Sequence, residues 1–134
     1  MTAGGVLTAS IGIGHIFMPD YGYDGYIAHG MPQLVRDHFY YLGTYAICLF
    51  LLSFAGLSLY FSRFSYPKAT AIVATVFSMF WVLRALLEVR FPVSLRIFFL
   101  QNPHTVLLPV MIFLTLVYAA SALKSWYLVR TDAA

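Results

Sequence analysis

The chain has 134 residues, 61% hydrophobic and 10% charged, with a formal charge of +3 and a mean hydropathy of +0.81. Ordinary soluble domains carry about 25% charged residues, and a globule this short cannot hide so much apolar surface from water. These figures exclude a soluble enzyme or binding module, and the lack of a basic stripe excludes a nucleic-acid partner.

The first apolar run is Gly4 to Met18, closed by Pro19. Its opening, "MTAGGVLTAS", has no basic n-region, so no cleavable signal is expected. Gly4, Gly5, Ala9, Ser10, Gly12 and Gly14 are small residues that let helix backbones approach closely in lipid, so this helix is expected inside the bundle. "PDYGYDGYIAHGMPQLVRDH", residues 19–38, follows as a connection bounded by turn residues, and long loops are often functional. Within it "MPQLVRDHFYYL" reads as a short interfacial helix with tyrosines at headgroup level. Asp37 reads as the N-cap of the next span.

The second span is Phe39 to Phe61 and contains the lone cysteine, Cys48. No disulfide is possible within the chain, and Cys48 has no adjacent base, so it reads as inert core. "SRFSYPK" is a short loop, with Pro67 suited to a first helical turn. The third span is Ala69 to Leu87. Residues 88–105, with Phe98, Phe99 and Leu100 touching the interface, lead to a fourth span, Val106 to Leu128, with Pro109 in its first turns. Three runs exceed the roughly 18 residues of a crossing helix. The short first one is accommodated by local thinning or by tilt of its neighbours. The expected fold class is all-α: an integral membrane four-helix transmembrane bundle, one domain over residues 1–134.

Four spans put both ends of the chain on one side, together with Arg63, Lys68, Lys124 and Arg130. The other side has Arg36, Arg90 and Arg96, with Arg84 deeper. The positive-inside rule then favours cytoplasmic termini. The acids and histidines are more lopsided still. His15, Asp20, Asp24, His29, Asp37, His38, Glu88 and His104 all map to the face of the two long connections, leaving Asp132 as the exception.

Arg84 and Glu88 are four apart on a helix and can pair, with Trp81 on the same stripe one turn earlier. Two readings stand. In one, these residues form an interfacial rim: Arg84 snorkels, Glu88 and Arg90 sit among headgroups, and Trp81 is a belt residue. In the other, Arg84 and Glu88 face the bundle, pair with Asp20, Asp37 or a histidine, and line a polar pocket, since intramembrane ionisable residues are functional candidates by default. His15, Trp81, Arg84, Glu88, Asp37, His38 and His104 are the candidate pocket residues.

Haem b between helices would need two imidazoles at similar depth, for which His15, His38 and His104 are the candidates. No tight spacing such as H-x-x-x-H is present, so no metal site is assigned. There is no G-x-S-x-G, P-loop or H-E-x-x-H either.

"GIGHIFMP", Gly12 to Pro19, and "YYLGTYAICLFLLSFAGLSLYFSR" together resemble the small four-helix DoxX-like membrane proteins, over about half the chain. The resemblance implies a four-helix bundle and, for some members, association with quinone-linked redox partners. The acidic residue often found in that family's second helix has no counterpart here, where Gly43 and Thr44 stand. "LRALLEVRFPV" and the His104 connection are also outside the resemblance.

Small size, the missing catalytic motifs and the Gly-rich first helix favour a non-catalytic accessory or anchor subunit of a larger membrane assembly, redox or quinone-linked. Haem b and quinone are the cofactor candidates, and the expected partners are the lipid bilayer and other subunits or further copies of the chain. The alternatives are an oligomeric small-ion or proton channel with an Arg84/Glu88 constriction, and a membrane enzyme acting on a lipid or quinone.

Overall fold

A long apolar run surrounded by apolar matter has to bond its own N–H and C=O groups, which a helix does within one segment. The computed structural model accordingly is all-helical, with α1 at Thr2–Tyr21, α2 at Gln33–Arg63, α3 at Pro67–Arg90 and α4 at His104–Thr131. It describes residues 1–21, 32–64, 66–92 and 100–131, with the backbone alone at 18–21, 33, 35–37 and 39–41. Three stretches are long and apolar enough to cross a membrane: Leu42–Arg63 of α2, and all of α3 and α4. The apolar part of α1, Thr2–Phe17, is shorter. This is compatible with a multi-pass membrane protein.

Each helix overruns its apolar span. α1 continues through Pro19 to Tyr21, because a proline in the last turn forfeits one hydrogen bond and ends nothing by itself. α2 begins at Gln33, so the separate interfacial helix expected around residue 33 is its first turns. Pro32 is its N-cap, at φ −55° and ψ 134°. Asp37 therefore lies inside α2 and is not the N-cap of the second span. A proline just before a helix presets the chain direction, and here it moves the start one turn earlier than Asp37 would have. Pro67 opens α3 as expected, and α4 carries Pro109 in its second turn. The expected interfacial contacts of Phe98 and Phe99 lie outside the described residues.

α1 packs most closely on α2, and α3 on α4, giving two antiparallel hairpins joined along α1–α4 and α2–α3. Glycines set the first pairing. A Cβ on Gly5 would stand 3.0 Å from Ser58 Cβ and 3.3 Å from the Ala55 carbonyl oxygen, and one on Gly12 would stand 3.2 Å from Leu51 Cβ. Gly4 lets the Tyr118 ring approach, its Cζ being 2.9 Å from where a Cβ would lie. Gly14 faces open space and has no such role.

The core gathers Leu51, Phe54, Phe77, Trp81, Met111, Leu114 and Tyr118. Phe54 and Phe77 stack at 3.7 Å between centroids and join α2 to α3, while Phe77 meets Tyr118 edge-on at 5.4 Å. One polar chain runs through this core. The Ser58 hydroxyl donates to the Phe54 carbonyl at 2.8 Å, so it accepts from the Tyr118 hydroxyl at 2.8 Å. Tyr118 in turn accepts from the Thr8 hydroxyl at 3.3 Å. Thr8, Ser58 and Tyr118 have no exposed surface, and they tie α1, α2 and α4 together. On the outside, Leu49, Met79, Leu116 and Leu123 are among many exposed large apolar residues. Ser10, Ser53, Thr75, Thr115 and Ser121 hide their hydroxyls by donating to the carbonyl four residues back.

Tyr118→Phe should cost about 1 kcal/mol, the upper part of the range for hydroxyl bonds between apolar helices. Gly5→Val should cost more by parting α1 from α2, and Gly14→Ala should be neutral or slightly stabilising. Thermal unfolding in one detergent ranks the three. Equal losses at Gly5 and Gly14 would contradict the packing described.

Candidate functional site

The last two turns of α3 and the first residue of α4 meet at one end of the bundle. Helical spacing places Arg84 and Glu88 one above the other, and Arg84 Nη2 lies 2.9 Å from Glu88 Oε2. The two charges touch without the alignment of a hydrogen bond, so their attraction is coulombic. The other carboxylate oxygen, Oε1, lies 3.1 Å from His104 Nδ1. An acceptor-only carboxylate requires Nδ1 to carry the proton, which leaves Nε2 as the remaining polar atom of the ring. Glu88 has no exposed surface, while the side chains of Arg84 and His104 are 35% and 36% exposed. The carboxylate also lies at the first turn of α4, where the helix dipole favours negative charge.

Local structure explains how His104 comes to be there. Asn102 and Pro103 form the turn that starts α4, with backbone bonds Thr105 N to Asn102 O at 3.2 Å and Leu107 N to Pro103 O at 2.8 Å. Thr105 Oγ1 donates to the Asn102 carbonyl at 2.8 Å and tightens the turn. Pro103 is buried, which fixes the turn against the bundle.

The other candidate residues divide. Trp81 is a core residue, 2% exposed, and not a belt residue. The rim reading placed it among headgroups from its position near the end of an apolar run, but its α3 face turns toward Leu51 and Met111. Its Nε1 has no hydrogen-bond partner among the described residues. Glu88, buried, also departs from the rim reading, whereas Arg90 keeps to it, exposed with its guanidinium 4.9 Å from the Phe91 ring centre. His15 donates from Nδ1 to the Ile11 carbonyl of its own helix at 2.8 Å. No described contact joins it to Arg84 or Glu88. His38 is exposed on α2. The side chains of Asp20 and Asp37, and all of Asp24, His29 and Arg96, lie outside what is described. The structure thus brings together Arg84, Glu88 and His104, with Trp81 one turn deeper. Among the described residues no three His, Cys, Asp or Glu side chains gather as metal ligands.

Two polar groupings were not singled out in the sequence. One is the Thr8–Tyr118–Ser58 chain, whose members have no sequence relation. The other is a cavity at the opposite end, lined by Arg63, Lys124 and several hydroxyls, where sequence position suggested only scattered anchors. No family model matches the chain, and neither a curated protein nor a solved structure matches it.

The cluster makes an asymmetric prediction. Removing Arg84 strips a fully buried carboxylate of its cationic neighbour, whereas removing the charge of Glu88 leaves Arg84 and His104 able to reach solvent. Breaking a fully buried pair costs about 3–5 kcal/mol. With Arg84 a third exposed, Arg84→Met should cost about 2 kcal/mol, and Glu88→Gln less. Thermal unfolding in detergent checks the order, and a larger loss for Glu88→Gln would reverse the reading.

Proposed function

We propose that the chain is a multi-pass membrane protein serving as a non-catalytic accessory subunit of a larger membrane assembly, with the Arg84–Glu88–His104 end as its docking site. The observation that carries this reading is the buried Glu88 carboxylate held between Arg84 and His104. Such a carboxylate does no chemistry in the open. It fixes two partly exposed donor groups in position, and fixed donors suit recognition of acceptor oxygens on a partner. The same donors suit the carbonyl oxygens of a quinone headgroup, and the resemblance of Gly12–Pro19 and the second span to DoxX-like proteins supports a redox-linked assembly. With cytoplasmic termini, as the basic residues favour, this end would face the opposite compartment.

Two further features support a subunit over the rival readings. No nucleophile accompanies the cluster among the described residues. Phe54 stacked on Phe77, with Tyr118 edge-on to Phe77, fills the middle of the bundle with apolar rings, which favours a packed subunit over a channel within a single copy. The large apolar residues on the outer faces need lipid or protein cover.

Purification from the native membrane in mild detergent should return the chain with partners in fixed stoichiometry, identified by mass. His104→Ala should release them while leaving the bundle folded. A monodisperse chain carrying no partner would sink the accessory-subunit reading. An absorption spectrum of the same sample detects haem or a retained quinone.

A further inference from the structure

The end opposite the Glu88 cluster has a different chemistry. A cavity of about 430 Å³ opens between the last turns of α2 and α4 and the start of α3. That volume is within the roughly 300–1,000 Å³ of small-molecule sites. Arg63 and Lys124 line it, with the hydroxyls of Thr70 and Ser125. Neither of these hydroxyls is committed to a helix carbonyl among the described bonds, unlike Ser62 and Ser121 beside them, which donate to Leu59 and Val117. Ser125 is 8% exposed.

The positive charge here has no compensation among the described residues. Asp20, Asp37 and Glu88 all belong to the other end, and Asp132 lies outside the described residues. The Met1 ammonium donates to Ser121 Oγ at 3.1 Å. Burial first, and then Lys124, hold it below its ordinary range. Cations crowded around a cavity without an acid favour a bound anion.

The rings beside the cavity indicate its depth. Phe61, Phe64 and Tyr66 line it, and Tyr60 packs on Phe64 at 4.7 Å and parallel to Tyr66 at 6.4 Å between centroids. Aromatic clusters of this kind at the end of an apolar span belong to the headgroup layer.

We propose that this cavity binds the phosphate of an anionic phospholipid headgroup, with Arg63 and Lys124 supplying the charge and Thr70 and Ser125 the neutral donors. Basic pockets between crossing helices are suited to such headgroups. The shared chemistry is a phosphate oxyanion, which a free phosphate ion would also present. The lipid is favoured because the cavity has an aromatic, membrane-level wall.

The test uses the full chain in nanodiscs of phosphatidylcholine with a minor share of phosphatidylglycerol, followed by native mass spectrometry of retained lipid. The wild type should keep phosphatidylglycerol in preference to phosphatidylcholine. Retention should fall about five-fold for each charge removed by Arg63→Gln or Lys124→Gln. Lys68→Gln, exposed in the first turn of α3 but not lining the cavity, should leave it unchanged. Ser125→Ala keeps every charge and should also lower retention, which guards against variants that unfold. Retention that survives excess inorganic phosphate supports the lipid. Displacement by phosphate alone overturns the lipid in favour of the free ion. No preference for phosphatidylglycerol, or an equal fall with Lys68→Gln, overturns the site altogether.

Discussion

A carboxylate with no exposed surface has to be compensated where it stands, and Glu88 is compensated by one residue from its own helix and one from the next. That requirement sets much of the local architecture. Arg84 is supplied by helical spacing alone. His104 is supplied only if α4 begins where the Asn102–Pro103 turn puts it, against the end of α3. The ion cluster therefore depends on where the α3–α4 hairpin turns. Elsewhere the same constraint takes milder forms: hydroxyls on the apolar helices donate to carbonyls one turn back, and the Tyr118 hydroxyl donates to Ser58 Oγ in the middle of the core. Polar groups in apolar surroundings are expensive to leave unmade, so each of these pairs also specifies a geometry.

The two hairpins hold by different means. α1 lies against α2 by backbone proximity, with Gly5 and Gly12 giving up side chains so that Ser58 and Leu51 can approach. α3 lies against α4 through side chains, with Ser78 donating to the Thr115 carbonyl at 3.3 Å and Trp126 to Thr75 at 3.2 Å. Between the hairpins, Phe54 stacks on Phe77 and the Tyr118 hydroxyl joins Ser58 and Thr8. Among apolar helices in lipid, close packing and hydrogen bonds replace the hydrophobic effect as the source of association, and each interface here uses one or both of them.

Four helices, their order and the small-residue face of α1 were legible in the sequence because apolar runs and glycine content are local properties. So was the Arg84–Glu88 pair, whose spacing is fixed by the helix. The helix ends were not, since polar residues such as Gln33 and Arg90 extend a helix once tertiary structure supports it. Asp37 had the right residue type for a cap, but Pro32 decided the start. Trp81 shows the limit most clearly. Position near the end of an apolar run suggests a membrane belt, and only the packing of α3 against its neighbours shows that its ring turns inward. His104 stands apart from Glu88 by an intervening connection, so their contact could be named as one of several histidine pairings but not selected.

The two ends of the bundle solve the electrostatic problem in opposite ways. At one end, acids and bases are mixed and Glu88 is paired within the fold, with Arg84 and His104 each partly exposed beside it. At the other, Arg63 and Lys124 stand around an open cavity with no acid among the described lining residues. Internal pairing favours geometric selectivity, because the donors have no freedom to follow a poorly fitting ligand. Uncompensated cations favour long-range attraction that salt weakens and that any suitably placed anion can answer. If both ends bind as proposed, charge would anchor the chain at one surface and shape would select its neighbour at the other. This division would let the same small bundle keep its orientation in the bilayer while its opposite face recognises one neighbour.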